Sequence, residues 1–227
     1  MLNGKDGEFL SVDWLRNRKK FTLEAFLEWE NAQDTRNEFY RGDVFPKADP
    51  RRSHGTVTSN LVRHLGNAQG GSPCRVFHEG MKVQIADETI LYPDVFVTCD
   101  EADLATEMLF KAPTLVIEVL SPATEGYDRS QKFARYRRPP SLKEYVLINP
   151  DTRRVESFTR GADDLFVLHD MSESDAVQFR SLAVNAEPKL HVFCRYEYAE
   201  ISGLLLVSCS SDRPSLRRLL RPEGTLP

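Results

Sequence analysis

One glutamate stands inside the most apolar segment of the chain. Glu118 lies in TLVIEVL (residues 114–120), where every other residue from 115 to 120 is apolar. An isolated ionised carboxylate in such surroundings costs several kcal/mol of folding free energy unless a cation, a metal ion or hydrogen bonds compensate it. The segment therefore predicts a compensating group opposite Glu118, which is either part of a functional site or a plain arginine or backbone partner.

Two further patterns could contribute to the same chemistry. Asp94 follows a proline in YPDVFV, and proline favours an edge, a bulge or the start of a strand. After the glutamate, Asp128, Lys132 and Tyr136 recur every four positions and therefore form one stripe along a helix. Taken singly, Pro-Asp is a common turn, and an aspartate with a lysine four residues later is a common surface ion pair.

Taken together, these residues are the parts of a metal-dependent phosphodiesterase. Asp94 and Glu118, on strands 24 residues apart, would hold one or two divalent cations that activate water and neutralise charge on the scissile phosphate. The backbone carbonyl of Val119 is a candidate third oxygen ligand. Lys132 would orient the water or stabilise negative charge in the transition state.

The elements that must position these residues follow from hydrophobic periodicity. Residues 21–30 and 53–69 predict two amphipathic helices, the second capped by Ser53, and NEFYRGDVFP between them predicts a hairpin that turns at Gly42 and Asp43. From residue 74 the period changes to two, which predicts short antiparallel strands. TLVIEVL predicts a central strand covered on both faces.

The rest of the chain continues this alternation. A helix from about Tyr127, ended by two prolines, leads to the apolar strand KEYVLINP, so that strand, helix and strand form a crossover. RRVESFTR and LFVLHD predict a hairpin, and VQFRSLAV predicts a late strand. We predict a polar leader at 1–20, a folded domain at 21–200 and a C-terminal tail, partly ordered or disordered, at 201–227.

The order and spacing of these motifs resemble the Uma-two (Uma2) family of restriction-endonuclease-like proteins, a branch of the PD-(D/E)xK nuclease superfamily. The matching runs are NEFYRGDVF, RSHGTVTSNLVRHL, PDVFV, TLVIEVLSPAT, the stripe of Asp128, Lys132 and Tyr136, KEYVLINP and FRSLAV. The resemblance covers about residues 21–200 and implies an α/β fold with a restriction-endonuclease-like core. In that core a mixed, curved sheet of about five to seven strands is flanked by helices, with a metal cleft at its open end.

The resemblance also implies roles for individual residues. The acidic pair of the family corresponds to Asp94 and Glu118, and its early glutamate corresponds to Glu38, a further metal or water ligand. The commonest superfamily pattern has a lysine two residues after the acidic strand residue, where this chain has Leu120; the family's lysine on the following helix corresponds to Lys132. The candidate accessory residues are His54, Gln84, Asp128 and Tyr136.

These expectations describe a DNA endonuclease that depends on Mg²⁺ or Mn²⁺ and works as a homodimer. Fold resemblance by itself does not confer activity, so two alternatives stay open. One is a catalytically silent nuclease-fold dimer that binds nucleic acid or regulates another process. The other is a metal-dependent hydrolase of a smaller phosphodiester.

The composition argues against a nucleic-acid-coating protein and against a membrane protein. The 227 residues suit one folded domain, and 30 Lys and Arg against 34 Asp and Glu give a net charge of −4, which argues against a protein that coats nucleic acid. Because no apolar stretch approaches the roughly 20 residues that span a bilayer and no signal peptide is evident, we expect a soluble protein without a membrane partner. The four cysteines lack zinc spacing or a dense disulfide framework, which favours a reducing cytoplasm.

Overall fold

The computed structural model of the chain describes residues 20–171, 179–182, 193, 196–201 and 204–209, the last two ranges as backbone. The helices are α1 (Leu23–Asn31), α2 (Arg52–Ala68), α3 (Glu101–Ala105) and α4 (residues 125–136). Helix α4 contains a π-helical turn at Asp128–Lys132, and a 3₁₀ turn lies at Ala86–Glu88. The strands are β1 (Asn37–Tyr40), β2 (Asp43–Pro46), β3 (Arg75–His78), β4 (Lys82–Gln84), β5 (Thr89–Leu91), β6 (Val95–Thr98), β7 (Leu109–Phe110), β8 (Pro113–Val119), β9 (Glu144–Asn149), β10 (Arg154–Arg160), β11 (Phe166–Asp170), β12 (Tyr196–Ile201) and β13 (Leu204–Cys209).

Strand β8 lies in the interior of a six-stranded sheet with the order β11-β10-β9-β8-β6-β3. It pairs antiparallel with β6 and parallel with β9, and α4 lies in the connection from β8 to β9. The predictions of a central strand and of a strand-helix-strand crossover are therefore confirmed. The hairpin of β10 and β11 is confirmed as well.

Helices cover both faces of this sheet. On one face α2 contributes Val57, Leu61 and Leu65 to a core that also contains the odd-numbered apolar residues of β8. On the other face, Tyr136 of α4 packs into a second core with Val116 and Leu120. The apolar residues on both sides of β8 are thus buried by different helices, which confirms the predicted α/β class with a mixed sheet flanked by helices.

A second, five-stranded sheet has the order β2-β1-β5-β4-β7. The sequence predicts a single sheet, because the three-residue strands β4 and β5 are too short to show a separate period. The chain passes from the second sheet to the first at residues 92–94, between β5 and β6. Asp94 therefore lies at the crossing point of the two sheets.

Three local expectations need correction or stay open. Helix α2 begins at Arg52 with Arg51 as its N-cap, so Ser53 is not the cap. The described part of the predicted late strand, residues 179–182, is a bend rather than a strand, and the buried Glu144 accepts a hydrogen bond from the backbone of Ser181. Strand β13 lies inside the predicted tail and pairs with β12, which lies almost entirely before it, while residues 1–19 and 210–227 lie outside the described residues.

A disulfide between Cys74 and Cys99 joins the start of β3 to the end of β6, which sequence analysis did not predict. The two cysteines are 25 residues apart, and they meet because β3 and β6 pair antiparallel with Arg75 opposite Thr98. Cys194 and the side chain of Cys209 lie outside the described part of the chain. Among the described residues no helix is long and apolar enough to cross a membrane.

Gly42 in the β1–β2 turn is a test of the hairpin geometry. Its φ is +92°, and a β-carbon there would lie 2.6 Å from Lys20 Cβ, so Gly42→Ala should lower the free energy of unfolding by about 1–3 kcal/mol. Gly66→Ala is the matched control, since Gly66 is exposed in α2 with nothing within 4 Å, and should raise it by about 0.5–1 kcal/mol. Urea unfolding measures both; equal effects would contradict the assigned turn.

Candidate active site

Residues from both sheets line one cleft of about 480 Å³. Most of the site residues predicted from the sequence meet there. The cleft is lined by the predicted Glu38, His54, Asp94, Glu118, Val119, Asp128 and Lys132, and also by Lys47, Glu79 and Tyr127, which sequence analysis did not single out. Residues far apart in the chain thus form one polar site between two apolar cores.

Lys132 is the buried cation that compensates Glu118. Its Nζ lies 3.0 Å from Glu118 Oε1, 3.1 Å from Glu38 Oε1 and 3.7 Å from Asp128 Oδ1, and only 4% of Lys132 is exposed. The π-helical turn in α4 includes both Asp128 and Lys132, and such turns are frequent at functional sites. The prediction that something must stand opposite Glu118 is therefore met by a lysine that three carboxylates surround.

Asp94 is held by three donors. Lys47 Nζ lies 2.9 Å from Asp94 Oδ1, while His54 Nε2, at 2.9 Å, and the backbone N–H of Val119, at 2.8 Å, both contact Oδ2. The last contact fixes the aspartate to the end of β8. The two acidic residues of the predicted pair are thereby brought to the same strand end.

Glu38 is positioned by the opposite wall of the cleft. The backbone N–H of Tyr92 donates to its Oε1 at 3.3 Å, and the hydroxyl of Tyr127 donates to its Oε2 at 2.9 Å. Arg135 donates in turn to the Tyr127 hydroxyl and lies over the ring of Tyr40. Both oxygens of Glu38 are thus oriented before any ligand enters.

Lys47 is the functional candidate that sequence analysis missed. Its backbone N–H bonds to the carbonyl of Arg36, one step beyond the β1–β2 pair of Asn37 and Pro46. The hairpin register therefore puts Lys47 on the same face as Glu38. The turn lies at Arg41 and Gly42, one residue earlier than the predicted Gly42 and Asp43, because Tyr40 pairs with Asp43. Counting pairs outward from either position puts Lys47 on the face of Glu38, so the sequence contained a signal for this second lysine.

Burial favours the neutral form of each ionisable group in the cleft, and neighbouring charges determine whether its pKa rises or falls. Burial raises the pKa of Asp94, but Lys47 and His54 outweigh it and hold that pKa below its usual range. Burial raises the pKa of Glu118 well above its ordinary value, and Lys132 opposes this only in part. Burial lowers the pKa of Lys132, but the surrounding carboxylates, Glu118 first, raise it well above normal.

Two accessory candidates are not part of the cleft lining. Gln84 donates to the carbonyl of Ala86 at 3.0 Å and does not line the cleft. Tyr136 is fully buried in the core behind Glu118, and its hydroxyl has no hydrogen-bond partner within the described ranges. Asp128 and Lys132 of the predicted stripe therefore line the cleft, whereas Tyr136, its third residue, packs in the core.

A second group of metal-binding side chains lies at the same cleft. His54, Glu79 and Asp94 each offer one ligand atom, and these atoms lie within 4.8 Å of one another. His54 bridges the group, with Nε2 toward Asp94 and Nδ1 at 3.6 Å from Glu79. Asp94 is thus common to this group and to the predicted pair.

Comparison with known sequences finds one family model and related proteins of Synechocystis sp. The model, described as "Uma2: Putative restriction endonuclease", matches residues 23–192. The uncharacterised protein slr1290 is 29% identical over 167 residues, covering 73% of this chain and 88% of that protein. The uncharacterised protein sll1609 is 32% identical over 170 residues, covering 73% of this chain and 96% of that protein.

A solved structure shares the fold. It is a crystal structure described as a "putative nuclease belonging to DUF820" from Anabaena variabilis, with a TM-score of 0.63 and 20% sequence identity. The match covers 76% of this chain and 97% of that chain. At this identity the similarity establishes a common architecture, in agreement with the fold expected from the sequence.

Glu118→Gln should stabilise the metal-free protein at neutral pH, on the order of 1 kcal/mol. Burial raises the pKa of Glu118 in the folded state above its unfolded value, so the cost of this glutamate to folding is absent below the unfolded pKa. The cost grows as pH rises from the unfolded pKa toward the folded pKa and is constant above it. The difference between variant and parent should accordingly grow as pH rises from 4 to 8. Urea unfolding with a chelator measures it; a less stable variant at pH 7 would show that the Lys132 pair outweighs burial.

Proposed function

The chain belongs to the Uma2 family, and from that membership together with the geometry of the cleft we propose that it is a divalent-metal-dependent DNA endonuclease that hydrolyses phosphodiester bonds. The observation that carries the proposal is the buried Lys132 between Glu38 and Glu118, next to Asp94. An acidic pair at a strand end can hold the divalent cation that metal-assisted phosphodiester hydrolysis uses, and a lysine beside it can stabilise negative charge in the transition state. Three acidic residues and a lysine in one cleft are far more specific evidence for such a site than a single buried carboxylate.

The donor set fits a hard divalent cation. Four buried carboxyl groups face two lysines, so acidic side chains outnumber the lysines by two. Glu118 Oε1 is buried and, apart from the nearby Lys132 charge, accepts no hydrogen bond from the described residues. Asp94, Glu118 and the carbonyl of Val119 would hold Mg²⁺ or Mn²⁺, which supplies positive charge to the scissile phosphate and makes water a stronger nucleophile.

The chain's own residues supply the rest of the chemistry. Three carboxylates around Lys132 keep it in the ammonium form, so it contributes positive charge to the transition state rather than accepting a proton. Glu38, held at both oxygens by Tyr92 and Tyr127, orients Lys132 and is a candidate to position water. Because Lys132, Glu38 and Glu118 are buried, each of these electrostatic interactions is stronger than it would be in water.

Lys47 has a different position from Lys132. It occupies Asp94 Oδ1, an oxygen that a cation would use, and 22% of its side chain is exposed to the cleft. Lys47 and a metal ion therefore compete for Asp94. The same contact also favours the second candidate function, a catalytically silent nuclease fold that binds nucleic acid, because it satisfies the aspartate without a metal ion.

The proposal includes a homodimer, because nucleases that cut both strands of a duplex commonly act as symmetric pairs. The disulfide between Cys74 and Cys99 removes the cysteine argument for a reducing cytoplasm, so that location is not part of the proposal. The smaller-phosphodiester alternative uses the same residues on a different substrate. The experiments below separate metal binding from DNA cleavage, so each part of the proposal can fail on its own.

Mn²⁺ should raise the melting temperature, with a stabilisation of about 2.7 kcal/mol when free metal is 100 times Kd. Glu118→Gln should remove most of this shift, whereas Glu79→Gln should retain it. Lys47→Met should tighten Mn²⁺ binding, since it removes the competing cation from Asp94. Calorimetric titration and thermal melts measure these effects; the opposite pattern, with Glu79→Gln losing the shift, would place the ion at His54, Glu79 and Asp94.

Lys132→Met should lower the rate of DNA cleavage by about 10²-fold or more while the stabilisation by Mn²⁺ persists, because a charge that acts in the transition state is not a metal ligand. Nicking of supercoiled plasmid in Mn²⁺ gives the rate, and circular dichroism verifies the fold. Lys143→Met, at an exposed lysine outside the cleft, is the control. If Lys132→Met cuts at the parent rate, Lys132 only balances buried carboxylates; if the parent does not cut DNA, the silent alternative is favoured.

A further inference from the structure

The β1–β2 hairpin carries more than Glu38 and Lys47 into the cleft. Glu38 pairs with Phe45 in the ladder, and the next pair outward joins Arg36 to Lys47 through the backbone. Directly paired residues of an antiparallel ladder have side chains on the same face, and so do residues two apart. All four side chains therefore share one face, and all four line the cleft.

These four side chains differ in depth. Glu38 is 5% exposed and 22% of the Lys47 side chain is exposed, whereas Phe45 is 43% exposed and Arg36 is exposed as well. Phe39, on the other face of the same strand pair, is buried in the core of the second sheet. The hairpin thus presents a deep polar pair and, above it, an aromatic ring and a guanidinium at the mouth of the cleft.

An exposed apolar side chain is ordinary by itself, but the place of Phe45 is not. Among the described residues, Phe45 is the only aromatic one of the large apolar side chains that are exposed. It pairs directly with Glu38 in the β1–β2 ladder. A planar apolar face held by a strand beside the proposed phosphate site is suited to stack on a nucleobase. Such stacking needs a base that has left its neighbours, because bases in a continuous duplex already cover one another.

The cations at the mouth suit a short segment of nucleic acid. Among the described residues Arg36 has no ion-pair partner, and Arg51 makes a contact of 3.4 Å with Asp151 in which both side chains are more than half exposed. An exposed pair of this kind is weak, so Arg51 is available to a phosphate. The exposed Asp34 and Asp49 also line the cleft and reduce its positive charge.

This mixed charge distinguishes two modes of binding. A protein that holds a long duplex neutralises many phosphates along a continuous basic track. Here two exposed arginines and one aromatic ring line the cleft together with two exposed acidic residues, and the whole chain carries a net charge of −4. The wall therefore suits one or two nucleotides next to the scissile bond better than a continuous helix.

We infer that Phe45 is a stacking platform for an unpaired nucleobase adjoining the phosphate that is cut, with Arg36 and Arg51 holding the neighbouring phosphates. The inference rests on the proposed nuclease function and names its substrate more closely: single-stranded DNA, or an unpaired position within a duplex, binds in preference to continuous duplex. Phe45 contributes affinity and substrate choice, while the residues deeper in the cleft carry the chemistry.

Equilibrium binding tests this inference without cleavage. Fluorescently labelled 12-mer single strands, and the same sequence as a duplex, are titrated with the protein in a chelator and again in Ca²⁺. Phe45→Ala should weaken single-strand binding about tenfold or more, as expected for loss of one base–aromatic stack, and change duplex binding less than about twofold. Phe45→Trp should restore affinity, and its added fluorescence should be quenched by the single strand.

Controls make each outcome decisive. Leu168→Ala removes an apolar side chain of similar exposure on β11, outside the cleft, and should change neither affinity. If Phe45→Ala proves unstable, Phe45→Leu keeps apolar volume without a planar face and should show the same selective loss. Unchanged single-strand affinity, or equal losses on single strand and duplex, would overturn the inference.

Plasmid cleavage separates the two proposals. Cleavage of duplex by the parent and by Phe45→Ala at equal rates, with no single-strand preference, would reject the stacking platform and leave the nuclease proposal intact. Selective, Phe45-dependent binding of single strands without cleavage in Mn²⁺ or Mg²⁺ would support the platform and reject the nuclease activity.

Discussion

The ion contacts of Lys132 connect parts of the molecule that would otherwise repel one another. Its ammonium lies near Glu38 on β1 of the five-stranded sheet, Glu118 on β8 of the six-stranded sheet and Asp128 on its own helix. Removing the one cation from such a group of buried carboxylates typically costs about 3–5 kcal/mol, because the remaining negative charges are left uncompensated. The way in which the two sheets and α4 meet is therefore constrained by one buried positive charge.

Backbone groups at strand ends complete what the lysine begins. The N–H of Val119 holds Asp94, and the N–H of Tyr92 holds Glu38, so two acidic side chains are fixed by the backbone of neighbouring elements. Both contacts lie where the chain crosses from one sheet to the other. Irregular backbone at such a crossing has donors that no ladder uses, and here carboxylates satisfy them.

The buried Glu118 lowers the stability of the fold, a cost that a cluster with only a structural role could avoid by using an apolar residue. Glu118 sits at the end of an apolar strand between two hydrophobic cores, and burial alone makes its ionised form unfavourable. Sites that bind or react commonly retain such unfavourable groups, because function requires the charge and the surrounding core supplies the stability. Lys47 and Lys132 each balance one member of the acidic pair, and they differ in exposure, which is the basis for giving them different roles.

The sequence by itself determined the elements and the chemically unusual residues. Strand β8 can be predicted because its apolar residues on both faces must be covered. Glu118 stands out because it is a charged residue in an apolar strand, and Lys132 stands out because it lies four residues after Asp128 on a predicted helix. Tertiary structure alone decided which of them meet. Lys47 reaches Asp94 across 47 residues, Cys74 reaches Cys99 through strand pairing, and Gln84 stays outside the cleft while Tyr136 lies in the core. Periodicity reports which face a residue takes within its own element, whereas these contacts depend on the register and packing between elements, which no local pattern encodes.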